Sequence, residues 1–178
     1  MKYTSQTLNR DAIARRIPHR GSMCLLDMVL AWDDKRIRCQ SSSHLAPDHP
    51  LRAHGRLGAA CGVEYAAQAM AVHGALVAES LPGGAAANGP PRAGYLASLR
   101  KVTLHVDRLD TVAGPLTVSA ERIAGDLHTV LYSFSVHAGA HTLLDGRAAV
   151  VLDAAGVMTG PQLGRSVPRM IRPGKTSP

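Results

Sequence analysis

Aromatic residues are scarce: one Trp, one Phe and four Tyr among 178 residues, 3% in all. That excludes a module that stacks single-stranded bases on an aromatic platform. Cysteine is scarce as well. Cys24, Cys39 and Cys61 are an odd number without C-x-x-C spacing, which excludes a zinc ribbon and a disulfide framework and fits a reducing cytoplasm. No stretch of about 18 consecutive apolar residues occurs, so no transmembrane helix and no membrane association are expected. The opening MKYTSQTLNRDAIARR lacks the apolar stretch of a secretory signal. G-x-S-x-G, P-loop and G-x-G-x-x-G motifs are missing, which removes support from α/β-hydrolase, NTPase and dinucleotide-binding readings. Acids are missing from residues 154–178, which carry Arg165, Arg169, Arg172 and Lys175. This tail therefore holds +4 of the net charge of +7 and the rest of the chain +3. A short basic end rich in Pro and Gly reads as a solvated, flexible appendage, and no nucleic-acid partner is expected.

What is present suits one domain. The chain is 46% hydrophobic and 19% charged, so its body is globular rather than disordered. Residues 5–16 read as a short helix ended by Pro18 and Gly21. Two strand-like stretches follow, Met23–Trp32 and Arg36–Ser43, joined as a hairpin by the charged turn Asp33-Asp34-Lys35. Residues 44–58 form a loop with two prolines, two glycines and three histidines, and a loop of that length inside a small domain is usually functional or disordered. Residues 59–79 are the clearest helix: rich in Ala, free of Pro, and stopped by Pro82-Gly83-Gly84. Its composition is apolar nearly all round, which predicts burial, and its small side chains let a curved sheet wrap closely around it. Residues 81–92 read as a flexible Gly/Ala/Pro connection. Four strand-like runs complete the body: Ala93–Leu109, which is long and expected to bend, Leu116–Ile123, Thr129–His137 and Thr142–Leu152.

Three groups of residues stand out chemically. Glu64 and Gln68 are four apart on the buried helix and so share a face. A carboxylate among apolar neighbours loses hydration and tends to hold its proton, as a general acid requires. The alternative is that Glu64 only complements the dipole at the helix start. The small residues Gly58–Gly62 leave backbone N–H groups accessible there, suited to a carbonyl oxygen on which charge develops. The loop histidines His44, His49 and His54, spaced by five, do not match a metal site, and no metal is expected. One of them is a candidate base for Glu64, and at least two are expected to be solvent-exposed. His73 lies nine residues from Glu64, about 180° round the helix, and reads as a packing residue. His105, His128, His137 and His141 show no partner in the sequence. Cys61 at the helix start lacks an evident base and is a poor candidate nucleophile.

Two segments carry a resemblance. Ile17-Pro18-His19-Arg20 through Leu26-Asp27-Met28-Val29 resembles the Leu-Pro-His-Arg-x-Pro-x-Leu-Leu-Val-Asp-Arg-Val opening of the hotdog-fold 3-hydroxyacyl-acyl-carrier-protein dehydratases. The helix Gly62-Val63-Glu64-Tyr65-Ala66-Ala67-Gln68 resembles their central helix. The pattern is similar in particular to the divergent dehydratases of aryl-polyene (xanthomonadin-type) pigment clusters. The likeness spans roughly residues 10–153. It implies an α+β hotdog fold over 1–153, a curved antiparallel sheet around one long central helix, with 154–178 as a tail. It also implies a cytoplasmic enzyme that dehydrates 3-hydroxyacyl thioesters on acyl carrier protein without a cofactor. A hotdog acyl thioesterase is the alternative within the same fold.

By the same resemblance Glu64 protonates the leaving 3-hydroxyl, Gln68 orients it, the backbone at Cys61 and Gly62 holds the thioester carbonyl, and His19 lies in the substrate-binding motif. The family's base is a His in a Gly-His-Phe-Pro-Gly loop fourteen residues before the Glu, and position 64 − 14 here is Pro50. His54, then His49, are the substitutes to consider. If neither acts, the chain is a half-site or non-catalytic partner of a second hotdog protein. Either way the resemblance implies a homodimer or heterodimer, and Glu64 is expected to be mostly buried and to face an apolar tunnel near the subunit boundary. Arg52, Arg56, Arg92 and Arg100 are candidates to steer an acidic carrier protein.

Overall fold

The computed structural model describes residues 7–81, 94–126 and 129–152. A two-residue strand β1 (Leu8–Asn9) runs into a five-residue helix α1 (Arg10–Ala14). The Asn9 side chain accepts from the Ala12 N–H at 3.0 Å, and this cap sets the helix start later than the composition implies. Strands β2 (Met28–Trp32) and β3 (Arg36–Ser41) form the expected hairpin. β2 begins five residues later than its apolar pattern predicts. The reason lies in the backbone: Met23 O, Leu25 N and Leu25 O bond to side chains of Gln68, Ser41 and Ser43, not to a neighbouring strand.

A single 3-10 turn (Ala59–Cys61) leads into the long helix α2 (Gly62–Ser80). Then come β4 (Gly94–Leu104), β5 (Leu116–Gly125), β6 (Thr129–Ala138) and β7 (His141–Leu152). All pairings are antiparallel, and the strands lie in the order β1-β2-β3-β5-β6-β7-β4. β5 therefore pairs directly with β3, while β4 is carried to the far edge against β7. α2 bridges these two halves and packs on β3, β5 and β6. This is the hotdog arrangement that the resemblance implies.

The core follows the two-residue period of the strands. Ile37 and Cys39, Val118 and Ala120, and Val130, Tyr132, Phe134 and Val136 point inward and are buried. They meet Tyr65, Ala66, Ala69, Met70, Val72 and Leu76 of α2. At the start of α2 the helix comes very close to β7: a Cβ on Gly62 would lie 2.3 Å from Leu144 Cδ2. Only glycine permits that approach.

Two expectations need correction. The central helix is not buried all round: Val63, Glu64, Ala67, Ala71, Gly74, Ala75 and Ala78 form a half-buried stripe that the sheet leaves uncovered. The long strand does bend, through register breaks at Leu96/Ser98 and Arg100/Thr103 with Lys101 at φ +52°, but it ends at Leu104. The expected connection over 81–92 (apart from Leu81), the tail over 154–178 and His128 lie outside the described residues.

Candidate active site

The Glu64 and Gln68 side chains do meet on one face of α2. Gln68 is fully buried and every polar atom of its amide is used. Its Nε2 donates to Met23 O at 2.8 Å and to Glu64 Oε1 at 3.0 Å, while its Oε1 accepts from Leu25 N at 2.8 Å. A buried amide with these partners is fixed in one orientation. The same contacts lash residues 23–25 across the helix. Glu64 itself is less enclosed than expected, its side chain about a third exposed (32%), because it sits on the uncovered stripe. It lies in the first turn of α2, as the dipole alternative expects, and its Oε1 is engaged by the Gln68 and His19 side chains.

The second group on that oxygen is His19, whose Nε2 lies 3.1 Å from Glu64 Oε1. The two residues are 45 apart in sequence, and a chain of local bonds brings them together. Ile17 is buried, Pro18 restricts the turn, and Arg20 folds back to bond the carbonyls of Ala14, Ile17 and His19. Arg10 ties the segment at Gly21 O and Asp27, each at 3.2 Å. His19 Nδ1 is buried without a hydrogen-bond partner among the described residues.

The loop histidines fall differently from the expectation. His44 and His49 are buried, and His54 alone of the three is exposed. His49 Nδ1 accepts the Leu51 N–H at 3.1 Å, so the ring proton sits on Nε2, which donates to Tyr65 Oη at 2.9 Å. Tyr65 donates to Ser43 Oγ at 2.8 Å, and Ser43 donates to Leu25 O at 2.9 Å. Burial, assisted by Arg52, pushes the His49 imidazole below its ordinary range, and burial pushes the Tyr65 phenol up to about 12. His49 is thus a neutral anchor between loop and helix, with both nitrogens occupied. His44 Nε2 bonds Val112 O at 3.1 Å.

His54 stands at the tip of a tight hairpin in which Ala53 and Arg56 exchange both backbone bonds at 2.9 Å. Both tip residues are left-handed, His54 at φ +49° and Gly55 at φ +69°, which glycine tolerates easily and histidine less so. The hairpin is clamped from below. Asp110 takes both Arg108 (3.0 and 2.7 Å) and Arg52 (2.7 Å), and Arg52 reaches on to Gly55 O at 3.2 Å. The Arg108 guanidinium holds the Asp110 carboxyl well below the usual carboxylate range. Arg52 is therefore committed internally, whereas Arg56 and Arg100 are exposed and Arg92 lies outside the described residues. The structure makes no bond between His54 and Glu64.

The helix-start amides assigned to the thioester carbonyl are already donating: Cys61 N to Gly58 O at 3.0 Å, and Gly62 N to Ala59 O and Ala60 O. The Cys61 thiol is half-buried, and burial pushes its pKa up, away from a reactive thiolate. His73 is the packing residue expected, bonded to Tyr132 Oη and Asp33 O at 2.9 Å each. His105 pairs with Asp145 at 2.7 Å and His137 with Ser135 at 2.9 Å, partners that spacing did not reveal. Among the described residues no group of three His, Cys, Asp or Glu is placed to hold a metal ion, and no helix is long and apolar enough to cross a membrane. A hollow of about 910 Å³ lies on the other face of the sheet, among Arg38, Lys101, Ser133 and Arg147, and touches none of the residues assigned to the site.

Residues 11–157 match the ApeP-like family, described as ApeP dehydratase. Among solved structures the chain is similar to the dehydratase heterocomplex ApeI:P from Xenorhabdus doucetiae, with 18% identity, 83% of this chain and 97% of that chain covered, and a TM-score of 0.68. It is also similar to the E. coli PaaI protein from the phenylacetic acid degradation operon, with 14% identity, 80% and 88% covered, and a TM-score of 0.51. No curated protein matches the sequence. At such identities the structural likeness speaks for the hotdog fold, and the family match, running from α1 to beyond β7, speaks for kinship. The chain belongs to the ApeP-like family of dehydratases.

Proposed function

We propose that the chain supplies the proton-donating half of a composite dehydratase site, which converts a 3-hydroxyacyl thioester on acyl carrier protein to the trans-2-enoyl thioester in aryl-polyene synthesis. The observation that carries this reading is the state of Glu64. Its Oε1 accepts from Gln68 Nε2 at 3.0 Å and lies 3.1 Å from His19 Nε2, while Oε2 makes no hydrogen bond among the described residues. A carboxyl fixed at one oxygen and open at the other is arranged to give a proton to a leaving hydroxyl. In the reaction a base takes the C2 proton, the C2–C3 double bond forms, and the C3 hydroxyl leaves as water with the proton from Glu64.

The base is drawn from across a subunit boundary. Within the chain His49 is occupied by Tyr65 and Leu51, and His54 is exposed at a turn tip without a bond to Glu64. A partner subunit fits the far edge of the sheet. Among the described residues β4 pairs only with β7, and Tyr95, Leu96, Leu99 and Leu104 on it are 41–56% exposed. An open edge carrying apolar side chains calls for a covering strand. The similar ApeI:P structure is a complex of two dehydratase subunits, which favours a second hotdog protein there over a second copy. The solvent-facing Arg56 and Arg100 suit an acidic carrier protein.

The test is a dehydration assay on a 3-hydroxyacyl carrier protein, with the purified chain alone and then with a second hotdog subunit. Turnover is expected only in the mixture. Glu64→Gln keeps the shape and removes the proton, so it lowers kcat by about 10²–10⁴-fold. Unchanged turnover in that variant refutes the role of Glu64, and full turnover by the chain alone refutes the composite site.

A further inference from the structure

We infer that His19 is a positioning residue for Glu64, fixing one carboxyl oxygen so that the other meets the substrate. The inference rests on Glu64 as the proton donor. His19 and Gln68 both reach Oε1, at 3.1 and 3.0 Å, from opposite origins: Gln68 from the next turn of α2, His19 from the segment before β2. Gln68 alone would leave the carboxyl able to swing about its last bonds, because a single donor defines a distance and not an orientation. The His19 ring, with Nε2 packed 3.1 Å from the same oxygen, limits that freedom.

The ring does not present itself as a substrate contact, which is the role the resemblance implied. Its Nε2 lies against Glu64 Oε1, and its Nδ1 has no accessible surface and no hydrogen-bond partner among the described residues. A substrate atom cannot approach a nitrogen that water cannot touch. A buried ring nitrogen without a partner costs stability, so the ring is not held there by optimal bonding of its own. The Arg20 bonds to the carbonyls of Ala14, Ile17 and His19 hold the backbone that carries it, which explains why Arg follows His directly.

The test compares His19→Ala, His19→Gln and Glu64→Gln in whichever assembly of the full chain turns over, with kcat and KM measured separately and thermal midpoints as a check on folding. Gln offers an N–H near the position of Nε2 but cannot carry a proton. For His19→Ala, kcat should fall about 10–100-fold, the scale for a misplaced catalytic group, with KM changed less than about twofold. His19→Gln should recover most of that loss. Unchanged kcat in His19→Ala overturns the inference. So does a rise in KM alone, which marks a substrate contact, or a Gln variant as inactive as Ala, which marks a proton carrier. If Glu64→Gln keeps full activity, the reading beneath has failed instead, and the two failures are distinct.

Discussion

Gly62→Ala tests how tightly the site is tied to the sheet. Two effects oppose each other. Alanine favours a helix interior over glycine by about 0.8–1.0 kcal/mol, and less in the first turn where Gly62 sits. Against this, the new methyl would lie 2.3 Å from Leu144 Cδ2, 3.2 Å from Cδ1 and 3.3 Å from Cγ. Carbon atoms prefer about 3.5–4.0 Å, so the overlap with the first exceeds an ångström. Leu144 is fully buried, so its side chain has little room to retreat. Overpacking of this kind costs about 1–3 kcal/mol. The clash wins, and the net loss is about 1–2 kcal/mol. In urea, where the slope for a domain of this size is about 1–3 kcal/mol per molar, the midpoint should drop by roughly 0.5–1 M. The relief, if any, comes by moving the first turn of α2 outward, and Glu64 is two residues on. Its distance to His19 then lengthens, and kcat falls with the stability. In a Leu144→Ala background the same methyl fills space, so Gly62→Ala should there be neutral or stabilising, a coupling of at least about 1 kcal/mol. A Gly62→Ala variant as stable as the parent, or additive with Leu144→Ala, refutes the close approach.

Other expectations follow from burial and from the open edge. Burial pushes the imidazoles of His44, His49 and His73 below their ordinary value of about 6.5, so the unfolded chain binds protons there that the folded chain refuses. Stability is therefore full above about pH 6.5 and declines as pH falls below it; thermal midpoints that stay flat from pH 7 to 5 contradict this. Leu96→Arg with Leu99→Arg, exposed side chains on the β4 edge, should abolish association with a hotdog partner in size-exclusion chromatography while leaving the thermal midpoint of the chain nearly unchanged. Association that persists moves the interface elsewhere.

The parts of the fold that local pattern governs were legible. α2 shows itself through nineteen residues of Ala-rich composition without Pro, and β5, β6 and β7 through strand-like runs whose bounds fall within two residues of those observed. Elements set by distant partners were not. Nothing near β4 announces that it crosses to β7 while β3 meets β5. The apolar run Met23–Leu25 looks like strand but is not one, because its backbone bonds go to Gln68, Ser41 and Ser43, side chains that lie 16–45 residues away. The site divides in the same way. Glu64 and Gln68 are readable from helical spacing. The pairing of Glu64 with His19 is not, and the resemblance marked both residues without joining them. The burial of His44 and His49 was hidden by a loop rich in Pro, Gly and charge, where composition alone points to solvent.

The strap of residues 23–25 has an implication for how much this sequence can drift. It is held to α2 and β3 through main-chain atoms, Met23 O, Leu25 N and Leu25 O, which every amino acid except proline at position 25 supplies alike. The information that fixes the strap is stored elsewhere, in Gln68, Ser41 and Ser43. Substitutions within the strap are then screened only for size and for compatibility with burial of Cys24 and Leu25, while a change at Gln68 releases two backbone groups and the Glu64 carboxyl at once. A relative whose strap looks unrelated can still carry the same site, and a relative that keeps the strap but has lost the glutamine cannot hold it in the same way.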